Sequence, residues 1–424
     1  MTATTSPRPV RDGQWLLTFY CTSGIAETLQ AVTIMWASYH LTHDAAVTGA
    51  MGAAAYLPGV VLGMIVRKRV DSGNAARRLS VTNWVLLAGS SLLALVWAAE
   101  APTGIAVGAF AVVQCSLSFI KTMNKAHAGR FIRQRFTGQN AVRLRQRSTS
   151  LAQVGGVAGG GAASLLLGIG AVGWCFATAA LLYLVGLWAV RCATATPADP
   201  AERAAGAGAG NAPAEESTGR AGTPARKEPE HHSPTPPRVL RLILVYSVPS
   251  SGALPFISTA AVPLAQAVAP GSGDFYALLS AAGMLGGFLA GMALSSGRLS
   301  SDGVLRAALL IGAALATGIA VVRWQAGVVL LFGVISAVLT THVMVMQVLT
   351  NQAPAEDQVG RFTVVRNAVA GSAKGGAALL AGWFVDAFGL GTAWLVLAAV
   401  LAVSGLSWWS VGRNTQMEEL VGGH

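Results

Sequence analysis

The stretch Ile65-Val66-Arg67-Lys68-Arg69-Val70-Asp71 decides the fold, because it closes one long apolar segment with a block of basic residues. The next apolar segment starts directly after Arg77 and Arg78. The alternation continues along the chain, with Lys and Arg concentrated at both termini and in every second loop. In multi-pass membrane proteins such basic loops lie on the cytoplasmic side. The pattern therefore predicts a multi-pass protein of the cell membrane with both termini in the cytoplasm.

Twelve apolar segments can be counted, and each is long enough to cross about 30 Å of hydrocarbon as a helix. Of the Lys and Arg residues, all but two are predicted to lie on the inner side. The exceptions are Arg323, in a predicted outer loop, and Lys374, inside a segment. The predicted segments are residues 15–38, 46–66, 79–98, 103–122, 148–169, 172–191, 239–266, 274–296, 303–322, 326–349, 362–384 and 389–411.

Composition supports the same class of protein. Hydrophobic residues make up 53% of the chain and charged residues only 11%, so a soluble globule would lack a polar surface. The net charge of +11 resides in short loops without interleaved aromatic residues, which argues against a nucleic-acid partner and for contact with lipid headgroups. The four cysteines have no metal-ligand spacing. We predict a lipid bilayer as the surroundings and no metal or cofactor.

A composition change divides the chain into two sets of six segments. Residues 193–237 are rich in Ala, Gly, Pro, Glu and Ser, which predicts a disordered cytoplasmic linker. The predicted organisation is a cytoplasmic N-terminus (1–14), a six-helix half (15–192), the linker (193–237), a second six-helix half (238–411) and a cytoplasmic C-terminus (412–424).

The two halves share glycine patterns. Gly59 and Gly63 of the second segment recur as Gly287 and Gly291 of the eighth, at a constant offset of 228 residues. In the fifth and eleventh segments a Gly-Gly-Ala-Ala run recurs at an offset of 215 residues. These patterns predict an all-α membrane protein of twelve transmembrane helices in two pseudo-symmetric halves. Close helix packing is predicted at Gly59, Gly159, Gly160, Gly287, Gly291 and Gly375.

The sequence resembles the major facilitator superfamily, and within it the drug and macrolide efflux branch, over residues 14–411. The resemblance rests on the order and spacing of Ser38-Tyr39-His40-Leu41-Thr42, Leu57-Pro58 with Gly63, Gln139-Asn140-Ala141, Gly360-Arg361-Phe362, and Ala381-Gly382 with Asp386 and Gly389. It implies the major facilitator fold and transport of a small molecule.

The resemblance also implies a conformational latch in the loop after the second helix. The family's loop carries an acid shortly after the glycine and then a basic cluster. Here Arg67 occupies the position of the acid, and the nearest acid follows four residues later. The latch predicted for this chain comprises Gly63, Arg67, Arg69, Asp71 and Arg77.

Glu27 lies near the middle of the first segment, where an isolated charge costs at least about 2.5 kcal/mol to insert. The resemblance places it where many such exporters carry an Asp. A carboxyl group that takes a proton from one side and releases it to the other is what proton antiport requires. The alternative is a protonated Glu that is hydrogen-bonded to a neighbouring helix.

Lys374 lies in the middle of the eleventh segment and is the second proton-coupling candidate. Three interpretations remain open for it: a salt bridge to Glu27, attraction of acidic substrates, or a side chain that reaches toward the membrane surface without a role.

The resemblance implies that helices 1, 4, 7 and 10 line a central cavity, and their polar residues are the candidates for substrate contact. The candidates are Gln114, Ser118, Tyr246, Ser250, Thr341, His342 and Gln347. Pro249 and Pro255 are expected to interrupt helix 7.

We therefore predict a monomeric secondary transporter that exports a drug or natural product in exchange for protons, from a bacterial membrane. Proton-coupled uptake in the same fold is the alternative. Soluble enzyme chemistry is disfavoured, because Walker, His-Glu-x-x-His and Gly-x-Ser-x-Gly motifs are missing from the sequence. A membrane enzyme is the alternative from a different class, and its only candidate group is His40, His43 and Asp44. A transporter-like sensor that binds without transport is the third possibility.

Overall fold

The computed structural model describes residues 7–61, 65, 74–136, 138–194, 237–296, 300–354 and 359–411, which form twelve α-helices. Most of the predicted linker and the segments 1–6 and 412–424 lie outside these residues. The helices are α1 Pro7–Thr42, α2 Ala45–Ala54, α3 Ala75–Ala98, α4 Thr103–Arg135, α5 Gly138–Gly168, α6 Val172–Thr194, α7 Pro237–Val268, α8 Gly273–Ser295, α9 Ser301–Val321, α10 Gln325–Gln352, α11 Val359–Phe388 and α12 Leu390–Val411.

Most of these helices are suited to lipid. Within the described residues, ten are long and apolar enough to cross a membrane, and the described part of α2 continues as a shorter apolar helix to Val61. Their outer faces expose large apolar side chains, such as Leu165 at 75% and Trp174 at 70%. The helix α1 does not reach that hydropathy, because polar side chains such as Gln30 and Thr33 are buried against protein rather than lipid.

Several helices extend beyond the predicted apolar segments. The Asp12 carboxylate of α1 forms a 2.7 Å salt bridge with Arg135 at the end of α4. Beside it, Leu16 and Phe19 pack in one buried cluster with Phe131. The segment boundaries were drawn from apolar residues alone, so they missed these charged and amphipathic ends that tertiary contacts hold in helical form.

The helix contacts repeat between the halves. In the first half α1 packs against α5 and α6, and α3 packs against α4 and α6. The equivalent pairs six helices later are α7 with α11 and α12, and α9 with α10 and α12, and all of them are in contact. The main contacts between the halves are α2 with α11 and α5 with α8. Replacing each helix by its equivalent in the other half converts one of these two pairs into the other. The predicted pseudo-symmetric arrangement is confirmed.

We call the membrane face at which α1 begins and α12 ends the terminus face, and the other one the opposite face. Tight turns connect the helices at the opposite face. Five of these connections contain a residue of left-handed conformation, which lets the chain reverse in a few residues. The residues are His43 (φ 52°), Glu100 (φ 48°), Gly170 (φ 72°), Gly271 (φ 76°) and Gly389 (φ 85°).

Candidate functional site

A cavity of about 440 Å³ lies between the two halves and is lined by residues of α1, α2, α4, α5, α7, α8 and α10. Its lining combines apolar residues with hydroxyl and amide groups, and none of the described residues that line it carries a charge. The polar lining residues are Thr28, Tyr56, Gln114, Ser258, Thr259, Tyr276, Ser280, Ser336 and Thr340.

Two polar groups of this lining are buried without a protein partner. Within the described chain, the side-chain oxygens of Gln114 and Thr259 have no hydrogen-bond partner, although both residues are almost fully buried. Buried polar atoms are costly unless they are satisfied. They are therefore available to a ligand or to water in the cavity.

The principal charged pair beside the cavity joins α1 to α4. The Lys121 ammonium lies 3.0 Å from Oε2 of Glu27, and the two side chains are 36% and 23% exposed. Glu27 precedes the cavity-lining Thr28 and lies one helical turn before Ala31, which also lines the cavity. On α4, Lys121 lies two turns from Gln114 toward the terminus face. The ion pair thus borders the terminus-face end of the cavity.

A buried phenol lies close to this pair. Tyr183 of α6 is fully buried, and it is near enough to Glu27 for the two groups to interact electrostatically. Its hydroxyl lacks a hydrogen-bond partner among the described residues. The Glu27 carboxyl group thus has a cation on one helix and a buried phenol within electrostatic range on another.

Lys374 does not pair with Glu27 in this structure, so the first of its three interpretations is not supported. Its ammonium lies 5.7 Å from the centroid of the Tyr56 ring, in a cation–π contact across the interface between α11 and α2. Tyr56 lines the cavity. Lys374 is therefore placed behind the cavity wall, on the side of the second half.

Of the predicted substrate residues, Gln114 lines the cavity. The others do not line it, and most of them form hydrogen bonds with other residues of the protein. The Ser118 hydroxyl accepts a 3.1 Å hydrogen bond from the Gly59 N–H, and the Tyr246 and Ser407 hydroxyl groups are 3.0 Å apart. Thr341 donates to the Ala337 carbonyl. Gln347 is exposed, and α7 continues through its prolines without a break.

Ser250 and His342 form a buried pair that corresponds in position to the charged pair. Nδ1 of His342 lies 2.9 Å from the Ser250 hydroxyl oxygen, which joins α7 to α10. Ser250 follows Glu27 by 223 residues and His342 follows Lys121 by 221, close to the glycine repeat offsets. The two halves therefore carry different chemistry at equivalent helix pairs: an ion pair in the first and a neutral hydrogen bond in the second.

Each predicted packing glycine lies against another helix, where a Cβ would meet neighbouring atoms. Four contacts are within a half, and three of them place Gly59 on Ser118, Gly159 on the Ile25 carbonyl oxygen, and Gly287 on Thr340. Gly291 meets Met344 in the same way. Two glycines lie between the halves, where Gly160 faces Ala281 and Gly375 faces Leu57.

The halves are clamped together at the opposite face. The Asp386 carboxylate, near the end of α11, accepts hydrogen bonds from the N–H groups of Ala45 (3.1 Å) and Ala46 (2.6 Å) at the start of α2. This carboxylate faces the positive end of the α2 dipole. Beside it, Gly382 packs on the Ala45 carbonyl oxygen, and a Cβ at Gly49 would lie 2.7 Å from the Ala378 carbonyl oxygen. We refer to these contacts as the clamp.

The predicted latch and the candidate enzyme group receive no support as sites. Gly63, Arg67, Arg69 and Asp71 lie outside the described residues, whereas Arg77 is exposed in the first turn of α3. At the end of α1, Asp44 accepts a hydrogen bond from the Val47 N–H and thereby caps α2. Across the described ranges, no group of three or more His, Cys, Asp or Glu residues is arranged to hold a metal ion.

Sequence reasoning missed Lys121 as the partner of Glu27 and Asp386 as the acceptor of the clamp. The topology places Lys121 among the basic residues of the inner side, and the available signal was its position two turns from Gln114 on the same face of α4. Asp386 was singled out only as part of the resemblance, and its partners could not be predicted because they are backbone groups 340 residues away.

Neither a protein-family model nor a curated protein matches the sequence. Solved structures do match it. A bacterial homologue of the human lysosomal transporter Spinster, in an inward-facing and occupied conformation, superposes with a TM-score of 0.69 at 12% identity over 96% of this chain and 98% of that chain. A POT family transporter in complex with a thioalcohol-conjugated peptide gives 0.70 at 11% identity, with 96% of each chain covered. The inward-open xylose transporter XylE from E. coli gives 0.64 at 13% identity, with 97% of each covered.

These matches cover nearly the whole chain and both six-helix halves. Together with the repeated helix contacts, they show that the chain has the major facilitator fold.

Proposed function

We propose that the protein is a secondary transporter that exports a small organic compound, such as a drug or natural product, in exchange for protons. The observation that carries the proposal is the Glu27–Lys121 ion pair at the edge of an uncharged cavity between two pseudo-symmetric halves. A protonatable carboxyl group beside the substrate space is what coupling requires.

The proposed cycle is alternating access. The clamp holds the halves together at the opposite face, so the cavity faces the terminus face, which the basic loops assign to the cytoplasm. In this state Glu27 is ionised and paired with Lys121, and the compound binds to the hydroxyl and amide groups of the cavity. After the clamp opens, a proton from the outside neutralises Glu27, the ion pair separates, and the compound leaves. The transporter acts as a monomer in the bacterial cell membrane.

The test is proton movement in everted vesicles whose lumen has been acidified, on addition of each of a panel of uncharged amphiphilic compounds. A compound that is transported into the lumen releases protons from it in the wild type. Glu27→Gln keeps the size of the side chain but cannot ionise, so we expect release to be lost. Glu100→Gln, an acid in a loop at the opposite face, is the matched control and should behave like the wild type.

The same experiment separates the alternatives. Protons leaving the lumen together with efflux of a preloaded compound would indicate proton-coupled uptake in cells. Compound movement at a rate that does not depend on the pH gradient would contradict proton coupling. Binding of a compound without any flux, measured on the purified protein, would favour a sensor.

A further inference from the structure

A second, separate site lies on the lipid-facing side of α3 and α6, near the terminus face. It is a groove of about 360 Å³ that is lined by Trp84, Leu184, Val185, Leu187, Trp188 and Arg191. The groove shares no residue with the central cavity. It is therefore independent of the substrate path.

The groove is formed by side chains that recur at helical spacing. Leu184, Trp188 and Arg191 lie on one face of α6 and span about 10 Å along the helix axis. Leu184 and Trp188 are 47% and 54% exposed, and Trp84 of α3 is 47% exposed. Leu187 is buried, so it forms the floor. An exposed apolar channel of this kind on a membrane helix is filled by a lipid acyl chain.

The end of the groove at the terminus face carries positive charge. The Arg191 guanidinium lies 5.7 Å from the centroid of the Trp84 ring, and Trp188 is held edge-on by Trp15 with a centroid distance of 4.7 Å. None of the ion pairs among the described residues involves Arg191. Arg77 is exposed two turns before Trp84 on the same face of α3. Two exposed arginines and a tryptophan cluster thus lie on this side of α3 and α6 toward the terminus face.

We propose that this groove binds one anionic phospholipid, with an acyl chain along Leu184 and Trp188 and the headgroup phosphate on Arg191, assisted by Arg77. Basic pockets between transmembrane helices on the cytoplasmic side select anionic headgroups, and tryptophan rings favour the same interfacial depth. A zwitterionic lipid fills the channel equally well but lacks the net charge that the two arginines attract.

The test is native mass spectrometry of the full chain with phosphatidylglycerol or phosphatidylcholine of identical acyl chains. The wild type is expected to retain one phosphatidylglycerol with about fivefold higher affinity, the equivalent of about 1 kcal/mol for one basic residue at the surface. Arg191→Gln should remove most of this preference over phosphatidylcholine. Arg323→Gln, an exposed arginine at the opposite face, is the matched control and should retain the preference.

A second variant tests the groove without removing the charge. Leu184→Trp fills the channel at a lipid-facing position and should also lose the bound phosphatidylglycerol. If size-exclusion chromatography shows that Arg191→Gln is misfolded, Leu184→Trp provides the test instead. Equal retention of the two lipids by the wild type would overturn the proposal. So would full phosphatidylglycerol retention in folded Arg191→Gln or folded Leu184→Trp.

Discussion

The ammonium of Lys121 lies 3.0 Å from the carboxylate of Glu27, and within the described part of the chain no other ion pair involves either residue. Each charge therefore depends on the other to remain at membrane depth. Removing one partner leaves a charge whose insertion costs about 2.5 kcal/mol or more.

This dependence predicts the outcome of a charge exchange. Glu27→Lys and Lys121→Glu should each reduce proton-coupled transport by at least about tenfold, the effect of about 1.4 kcal/mol. The double variant with both changes should restore transport to within a few fold of the wild type. Transport is measured in proteoliposomes with an imposed pH gradient. Glu27→Lys combined with Lys374→Glu is the control, and rescue there instead would contradict the pairing.

The clamp predicts a shift of conformation when Asp386 is changed. Asp386→Ala removes the acceptor for the N–H groups of Ala45 and Ala46, so the opposite face should open more often. The readout is labelling of a cysteine at the cavity-lining Ser258, in a background without the four native cysteines, by an impermeant maleimide from each side of the membrane. We expect labelling from the opposite face to rise several fold.

The control for this experiment is Asp302→Ala, which breaks an exposed pair with Arg306 in a single helix. Such pairs contribute about 0.5 kcal/mol or less. Asp302→Ala should leave the labelling pattern unchanged. Unchanged labelling in Asp386→Ala as well would show that the clamp does not hold the opposite face closed.

Two glycines of α11 should respond in opposite ways to alanine. A Cβ at Gly382 would overlap the Ala45 carbonyl oxygen, whereas a Cβ at Gly376 would have no atom within 4 Å. Alanine in a helix interior is otherwise favoured over glycine by about 0.5–1 kcal/mol. We expect Gly376→Ala to keep or raise the thermal unfolding temperature and Gly382→Ala to lower it. Equal changes in unfolding temperature would show that the close contact between α2 and α11 does not contribute to stability.

The buried pair of the second half predicts a difference between adjacent serines. Ser250→Ala leaves Nδ1 of His342 without its partner at a site with no solvent access, which should cost about 1–3 kcal/mol of stability. The Ser251 hydroxyl is also buried but has no hydrogen-bond partner among the described residues, so Ser251→Ala should be close to neutral. Thermal unfolding in detergent compares them, and equal losses would refute the role of the hydrogen bond.

The architecture could be predicted from the sequence because each apolar segment and each basic loop is a local signal. The twelve apolar segments repeat that signal along the whole chain. Helix count and the two halves followed from that pattern, and Gly160 and Gly375 were predicted to pack against other helices, without any indication that these contacts lie between the halves. The predicted helix ends were less accurate where a contact distant in sequence extends a helix. The salt bridge between Asp12 and Arg135 is such a contact for α1 and α4.

Side-chain partners were predicted less well than positions. Glu27 was identified from its depth, but its partner depends on the rotation of α4 about its axis, which places Lys121 rather than Lys374 beside it. Thr341 was chosen as a cavity residue, whereas the cavity is lined by the adjacent Thr340. One residue along a helix turns the side chain by about 100°, and the sequence pattern does not resolve that difference.

The clamp at the opposite face has main-chain N–H groups as its donors. Any residue except proline supplies the same donor, so substitution of Ala45 or Ala46 changes the side chains around the clamp but leaves its hydrogen bonds intact. Selection on these hydrogen bonds can therefore act only on the acceptor, Asp386. In related chains, drift should be tolerated at the start of α2 and restricted at the end of α11.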